Sequence, residues 1–199
     1  KPAAARNLAA KLAGMGVLAL DAPVSGGDVG ARNATLAIMV GGPAEALDKV
    51  MPVFQALGKT VTHVGAAGAG QVAKAANQIM VAAQMVAMAE LLIFSQKAGV
   101  DPQKVVEAIK GGAAQCWTLD VKPRRLFAGN RSPGFKSSLM AKDMNIILET
   151  AREYELPLPS ATIDAQLYND MLLNGMGELD NSAVIGMIEY LADVKLKTL

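Results

Sequence analysis

Lys74 opens a strongly apolar stretch, and two amides follow it at helical spacing, Asn77 at i+3 and Gln78 at i+4. All three share one face of a helix. Partial burial against such a helix disfavours the ammonium form and lowers a lysine's pKa, which suits a general acid/base near neutral pH. A place in the first helical turn works in the same direction, because cations are disfavoured there. A solvated lysine at a helix start is the plainer account of the same residue. Ser25-Gly26-Gly27 closes the run DAPVSGG (21–27). A hydroxyl and two unobstructed backbone N–H groups after a strand could hold a carboxylate. Strand ends of this kind are where open α/β sheets place ligands, although an ordinary strand-to-loop turn has the same composition. Lys142-Asp143 offers a cation to a cofactor or substrate anion, or else a surface ion pair.

The elements that must position these residues fall into two regimes. Residues 3–15 have helical Ala/Leu spacing and stop at Gly14 and Gly16. Residues 17–20 form a short apolar run, expected to be a buried strand, and residues 21–27 the turn after it. Strands are expected over 35–40 and 60–64, with a helix over 44–57 between them. Strands separated by helices indicate an α/β sheet. Beyond the glycine-rich link 65–70 everything reads as helix. Residues 71–97 contain neither Gly nor Pro and predict one long helix, apolar nearly all round and so buried on most sides. Asp101-Pro102 starts another. Further helices are expected over 118–127, from Ser137 or Ser138 to 154, from a Ser160 cap to 173, and over 182–194.

The fold class is therefore α/β followed by all-α: the C-terminal part of a Rossmann-like domain (1–65), then a helical domain (66–199) built on one long central helix. Three strands are few for a free-standing sheet covered on both faces. The chain also begins Lys1-Pro2 without Met, so a truncated or processed start is expected.

With 199 residues, 52% of them hydrophobic, the chain can bury a real core. A net charge of +1 gives no sign of a nucleic-acid or acidic-membrane surface. The apolar stretch 79–94 is short for a span of about 20 residues, so a buried core helix is expected. The lone Cys116 forms no intrachain disulfide, and a reducing compartment is the default. No ligand-spaced cluster of His, Cys or carboxylates implies a metal. The glycines at 65–70 follow a strand and open a helix, with Glu90 twenty residues on, but they read GxxGxG rather than GxGxxG, and no second strand follows. A flexible, close-packed link is expected there rather than a phosphate cradle.

In order and spacing the motifs DAPVSGG (21–27), GA..ATLAIMVGG (30–42), HVGAAGAGQVAKAANQ (63–78), GVDP (99–102), PGF (133–135) and KDM (142–144) resemble the β-hydroxyacid dehydrogenase family across nearly the whole chain. That family includes enzymes of the 3-hydroxyisobutyrate dehydrogenase and tartronate semialdehyde reductase types. The resemblance implies Lys74 as catalytic acid/base, and Ser25, Gly26 and Gly27 as the site for the substrate carboxylate. Asn77 or Gln78 would be the substrate-orienting amide; many relatives carry Asn-Asn there, so Gln78 is a departure. Lys142, supported by Asp143, would approach the nicotinamide side. Trp117 borders the site in relatives, or simply packs.

It further implies hydride transfer between NAD or NADP and a short 3-hydroxy acid or its semialdehyde, in a homodimer or homotetramer located in the cytoplasm or, after loss of a transit peptide, an organelle matrix. The family's GxGxxG and the residue choosing NAD over NADP are not in these 199 residues. Two alternatives stay open: a non-catalytic helical dimerisation or binding module, and a glyoxylate or succinic semialdehyde reductase using the same machinery.

Overall fold

The computed structural model describes residues 1–198. In chain order they form α1 (Pro2–Ala13), β1 (Val24–Ser25), α2 (Gly27–Arg32), β2 (Leu36–Gly41), α3 (Ala44–Leu57), β3 (Gly58–Gly65), α4 (Ala69–Lys97), α5 (Pro102–Ile109), α6 (Trp117–Phe127), α7 (Ser137–Glu153), α8 (Pro159–Leu173), a 3-10 turn (Asn181–Val184) and α9 (Ile185–Leu191). They gather into two compact units. One comprises Lys1–Gln78 and Glu149–Glu155; the other comprises Ile79–Leu148 and the chain from Leu156 onward.

The first unit is built on a three-stranded sheet in the order β1-β2-β3. β2 and β3 run parallel, with Val40 beside His63, and α3 is the crossover between them. β1 is antiparallel to β2, pairing Val24 with Ile38 and Ser25 with Ala37. Leu36, Ile38, Val40 and Leu47 form the core of this unit, and Leu20, Met51, Phe54 and Val61 pack against them.

The expected strand at 17–20 does not form. That segment has no regular structure, Val17 and Leu18 are exposed, and pairing begins only with an isolated bridge from Asp21 to Gly41. The strand lies instead at Val24–Ser25, inside the stretch expected to be a turn. The reason is that an apolar run becomes a strand only where a partner edge exists. Within this unit β2 offers that edge to residue 21 and to residues 24–25.

The long helix appears as expected, 29 residues from Ala69, its first ten in the first unit and the rest in the second. It is long and apolar enough to cross a membrane by length and composition, and half of its most apolar window is buried within the protein. Gln78, Ala82, Met85, Val86, Met88, Ala89, Leu92, Ile93 and Ser95 are buried, while the exposed Val72, Met80 and Phe94 lie along one stripe. The expectation of burial on most sides holds, with one narrow exposed stripe. Asp101 caps α5 by accepting from Gln103 N at 2.9 Å, with Pro102 at the first helical position.

Two helix starts or stops differ from expectation. α8 begins at Pro159 after Leu158, without a Ser160 cap; proline at a first position lacks an N–H that would have no helical partner anyway. The last segment starts as a 3-10 turn capped by Asp180 and ends at Leu191 rather than 194.

Candidate active site

The start of α4 is held by Asp21. Its Oδ1 accepts from Gly68 N at 2.6 Å and its Oδ2 from Gln71 N at 2.8 Å. These are two of the amides that a helix N-terminus leaves without partners. Asp21 is itself fixed by the bridge to β2, Asp21 N to Gly41 O at 3.0 Å and Gly41 N to Asp21 O at 2.8 Å. The glycines around it are there for close approach. A Cβ on Gly41 would lie 2.5 Å from Asp21 Oδ1, and one on Gly70 would lie 2.5 Å from Met39 O and 2.6 Å from Asp21 O. The 65–70 loop is therefore packed and hydrogen-bonded rather than loose, and a carboxylate of the chain already holds amides that a phosphate would need. Nothing in the sequence marks Asp21 as this cap, since its partners are about fifty residues away.

One turn along, Lys74 is half-buried and its Nζ donates to Val24 O at 2.8 Å. The amine thus reaches β1 at the residue before Ser25. There the chain bends sharply: Gly26 has φ 139° and Gly27 φ 63°. Side-chain-bearing residues avoid both values. A Cβ on Gly26 would also come within 3.0 Å of the Leu36 side chain. Ser25 is half-buried, while Gly26 and Gly27 are exposed.

Asn77 Nδ2 donates to Gln78 Oε1 at 2.7 Å. Gln78 is only 4% exposed, whereas Asn77 is half-buried, so Asn77 is the more accessible of the two amides. The structure thus gathers Lys74, Val24 and the Ser25–Gly27 bend within the first unit. An open cavity of about 400 Å³ in that unit is lined by Ala5, Leu8, Ala9, Leu20, Pro23 and Gln71 among others. Neither Lys74 nor Ser25 lines it, and its mainly aliphatic wall does not suit an anion.

Lys142 and Asp143 lie on α7, in the second unit. Lys142 Nζ sits 2.8 Å from Asp143 Oδ1, its side chain 59% exposed and that of Asp143 15%. Trp117 is the first residue of α6, is 59% exposed, and has Lys122 Nζ at 5.6 Å from its ring centroid.

Sequence reasoning missed two buried acids in this unit. Asp180 is fully buried and accepts from Lys122 Nζ at 2.6 Å, from Ser182 Oγ at 2.6 Å and from Gly134 N at 2.8 Å. Burial alone would raise its pKa. The Lys122 hydrogen bond, the Ser182 hydroxyl, the lysine's charge and the Gly134 N–H outweigh burial and hold the pKa at about 2. Lys122 was legible in principle, because it shares helical spacing with Leu119 and Leu126 and so lies on the buried face of α6. Asp164 on α8 is 5% exposed, and its Oδ2 has no hydrogen-bond partner among the described residues. Burial first, then the charge of Glu90, pushes its pKa up to about 6.

Residues 68–188 match a family model described as NAD-binding of NADP-dependent 3-hydroxyisobutyrate dehydrogenase, and residues 1–65 match the NAD binding domain of 6-phosphogluconate dehydrogenase. The chain belongs to the β-hydroxyacid dehydrogenase family.

Among relatives of this dehydrogenase family, the 2-hydroxy-3-oxopropionate reductase of Escherichia coli (strain K12) is 45% identical over 177 residues, 89% of this chain and 61% of that protein. A probable 3-hydroxyisobutyrate dehydrogenase-like mitochondrial protein of Arabidopsis thaliana is 36% identical over 100% of this chain and 59% of its own length. The solved 3-hydroxyisobutyrate dehydrogenase of Mycobacterium tuberculosis with L-serine superposes with a TM-score of 0.87 at 33% identity, over 94% of this chain and 67% of that one. The expected architecture, Rossmann-like then helical, stands. The chain spans about three-fifths of the length of the curated relatives it matches.

Proposed function

We propose that this chain belongs to an oxidoreductase moving a hydride between NAD or NADP and a short 3-hydroxy acid or its semialdehyde, with Lys74 as general acid/base. The observation that carries the reading is the placement of the Lys74 amine on Val24 O, one residue before the Ser25–Gly27 bend. A carbonyl accepts from either an amine or an ammonium, so this contact orients the nitrogen in either protonation state. In the oxidation direction Lys74 takes the hydroxyl proton as the C–H bond breaks; in reduction it returns a proton to the carbonyl oxygen. Ser25 and the N–H groups of Gly26 and Gly27 hold the carboxylate, which sets which carbon stands beside the amine, a contribution of positioning. Asn77 orients the hydroxyl oxygen, and Gln78 steadies the Asn77 amide.

The nicotinamide supplies the hydride acceptor or donor when bound. The residues present fit such a group. Lys142 offers an exposed cation steadied by Asp143, suited to an amide carbonyl or a phosphate, and lies within the matched stretch described as NAD-binding. Residues 1–65 are assigned as the end of the nucleotide-binding domain and 66–199 as the substrate and dimerisation domain. A homodimer or homotetramer fits the exposed Phe94, Leu173, Tyr190 and Leu191, large side chains that a partner would cover. The proposed location is cytoplasm or an organelle matrix.

The test is nicotinamide absorbance with the intact enzyme and a panel of 3-hydroxy acids and semialdehydes, including glyoxylate and succinic semialdehyde. Lys74→Ala should lower kcat by about 10²–10⁴ with cofactor affinity unchanged. A near-normal rate rules out the acid/base role.

A further inference from the structure

We propose that the buried Asp180–Lys122 pair is a positioning device that fixes Trp117 and the start of α7, and through α7 the direction of Lys142. Its bearing on catalysis rests on the reading that Lys142 meets the cofactor.

Stability alone is a poor explanation for this pair. The side chains are 4% and 0% exposed, so both ions lose their hydration. An apolar pair of similar volume often does as well or better. What a carboxylate does and an apolar group does not is address several donors in fixed directions. The donors come from three separate segments. Oδ1 takes Lys122 Nζ from α6, and Ser182 N at 3.1 Å together with Ser182 Oγ from the 3-10 turn. Oδ2 takes Gly134 N at 2.8 Å and Phe135 N at 3.3 Å, from the loop that leads into α7.

Backbone bonds on both sides complete the clamp. Asn181 N donates to Phe135 O at 2.8 Å, Asp180 N to Arg131 O at 2.9 Å, and Ser137 N to Leu179 O at 2.8 Å. Ser137 Oγ also reaches Asp180 O at 3.0 Å. The residues just before α7 are held, and so is its first residue. Lys142 lies five positions into that helix. One residue of slippage at the start would swing it by about 100°, so this anchor sets where its amine points.

The second arm runs through Lys122, which also donates to Asn181 Oδ1 at 3.2 Å and sits over the Trp117 ring. An exposed indole has few other restraints, and a fixed cation on its face supplies one. One carboxylate thereby sets two side chains on two helices.

Trp117 is the only tryptophan in the chain, so its fluorescence reports one place. The experiment compares the intact enzyme with Lys122→Met, Lys122→Arg and the double variant Lys122→Met/Asp180→Asn, which removes both fully buried charges, leaves only the partly exposed Arg125 facing a neutral amide, and keeps the test open if Lys122→Met alone unfolds. Each is measured while circular dichroism shows it folded. Trp117 anisotropy should fall in Lys122→Met and in the double variant. Amides of the first two turns of α7 should exchange about tenfold faster, as for loss of one charge-assisted hydrogen bond. Lys122→Arg should restore both, whereas in Lys122→Met and the double variant the KM for the nicotinamide cofactor should rise more than kcat falls. Wild-type anisotropy and exchange in the folded double variant would overturn the proposal. Loosened Trp117 and α7 with an unchanged cofactor KM would uphold the positioning and overturn the assignment of Lys142.

Discussion

Asp21 in the first unit and Asp180 in the second each anchor the start of a helix that carries a candidate lysine, but they work in different settings. Asp21 is half-buried, and among the described residues its carboxylate accepts from two backbone N–H groups at the head of α4. Asp180 is sealed from solvent and accepts from a lysine, a hydroxyl and three backbone amides. Helix-end amides carry enough partial positive charge to satisfy a carboxylate that still meets water. A fully buried carboxylate lacks that solvation and is stable as an ion only with a formal counter-charge. The second unit therefore holds a lysine inside its core, while the first leaves its lysine, Lys74, with its amine on a carbonyl. Asp164 completes the comparison, a buried acid whose Oδ2 has no hydrogen-bond partner among the described residues.

The contrast is most severely tested by removing the counter-charge. Lys122→Met leaves the buried Asp180 with only the more distant Arg125, 3.7 Å from Oδ2, as counter-charge, and should cost up to about 3–5 kcal/mol in urea denaturation at pH 7. A loss below 1 kcal/mol would mean that the amides, the hydroxyl and Arg125 suffice. Asp164 should behave in the opposite sense. Its folded pKa, about 6, stands above the ordinary 3.8. The folded state thus binds more protons between pH 4 and 6, and stability falls as pH rises through that window. Asp164→Asn should add about 2–3 kcal/mol at pH 7 and remove that slope; an unaltered pH profile sinks the idea.

The acid limb of Asp180 is predicted next. Its folded pKa of about 2 lies below the ordinary 3.8. The stability it contributes, about 2 kcal/mol, is present above pH 4 and is lost as pH falls towards 2. Acid titration of Asp180→Asn should lack this step. Asp21→Ala, which removes only a cap, should cost about 1–2 kcal/mol and lower kcat by loosening the start of α4; thermal melts and kinetics check both. The smallest effect is expected for Ser25→Ala, a rise of about tenfold or less in the KM of carboxylate substrates, the weight of one hydrogen bond. An unchanged KM would remove Ser25 from the anion site.

Legibility followed the range of the interaction. The helices at 44–57 and 69–97 were visible because apolar spacing, Gly and Pro stops and cap residues act within a few positions. The strand at 17–20 was misplaced because pairing depends on an edge elsewhere in the chain. Lys74 was singled out by its sequence neighbours, but its contact with Val24 spans fifty residues. The Lys122–Asp180 pair spans fifty-eight, and only the helical spacing of Lys122 hinted at burial.

By itself the sequence determined the order of elements, the long helix and the residue types able to handle a proton and a carboxylate, since backbone propensity and side-chain chemistry are local properties. Tertiary structure alone decided which strand formed, which aspartate closed which helix, and which lysine became a buried counter-ion. Those outcomes depend on what lies next to each group in space, and desolvation, pairing and hydrogen-bond geometry are set there.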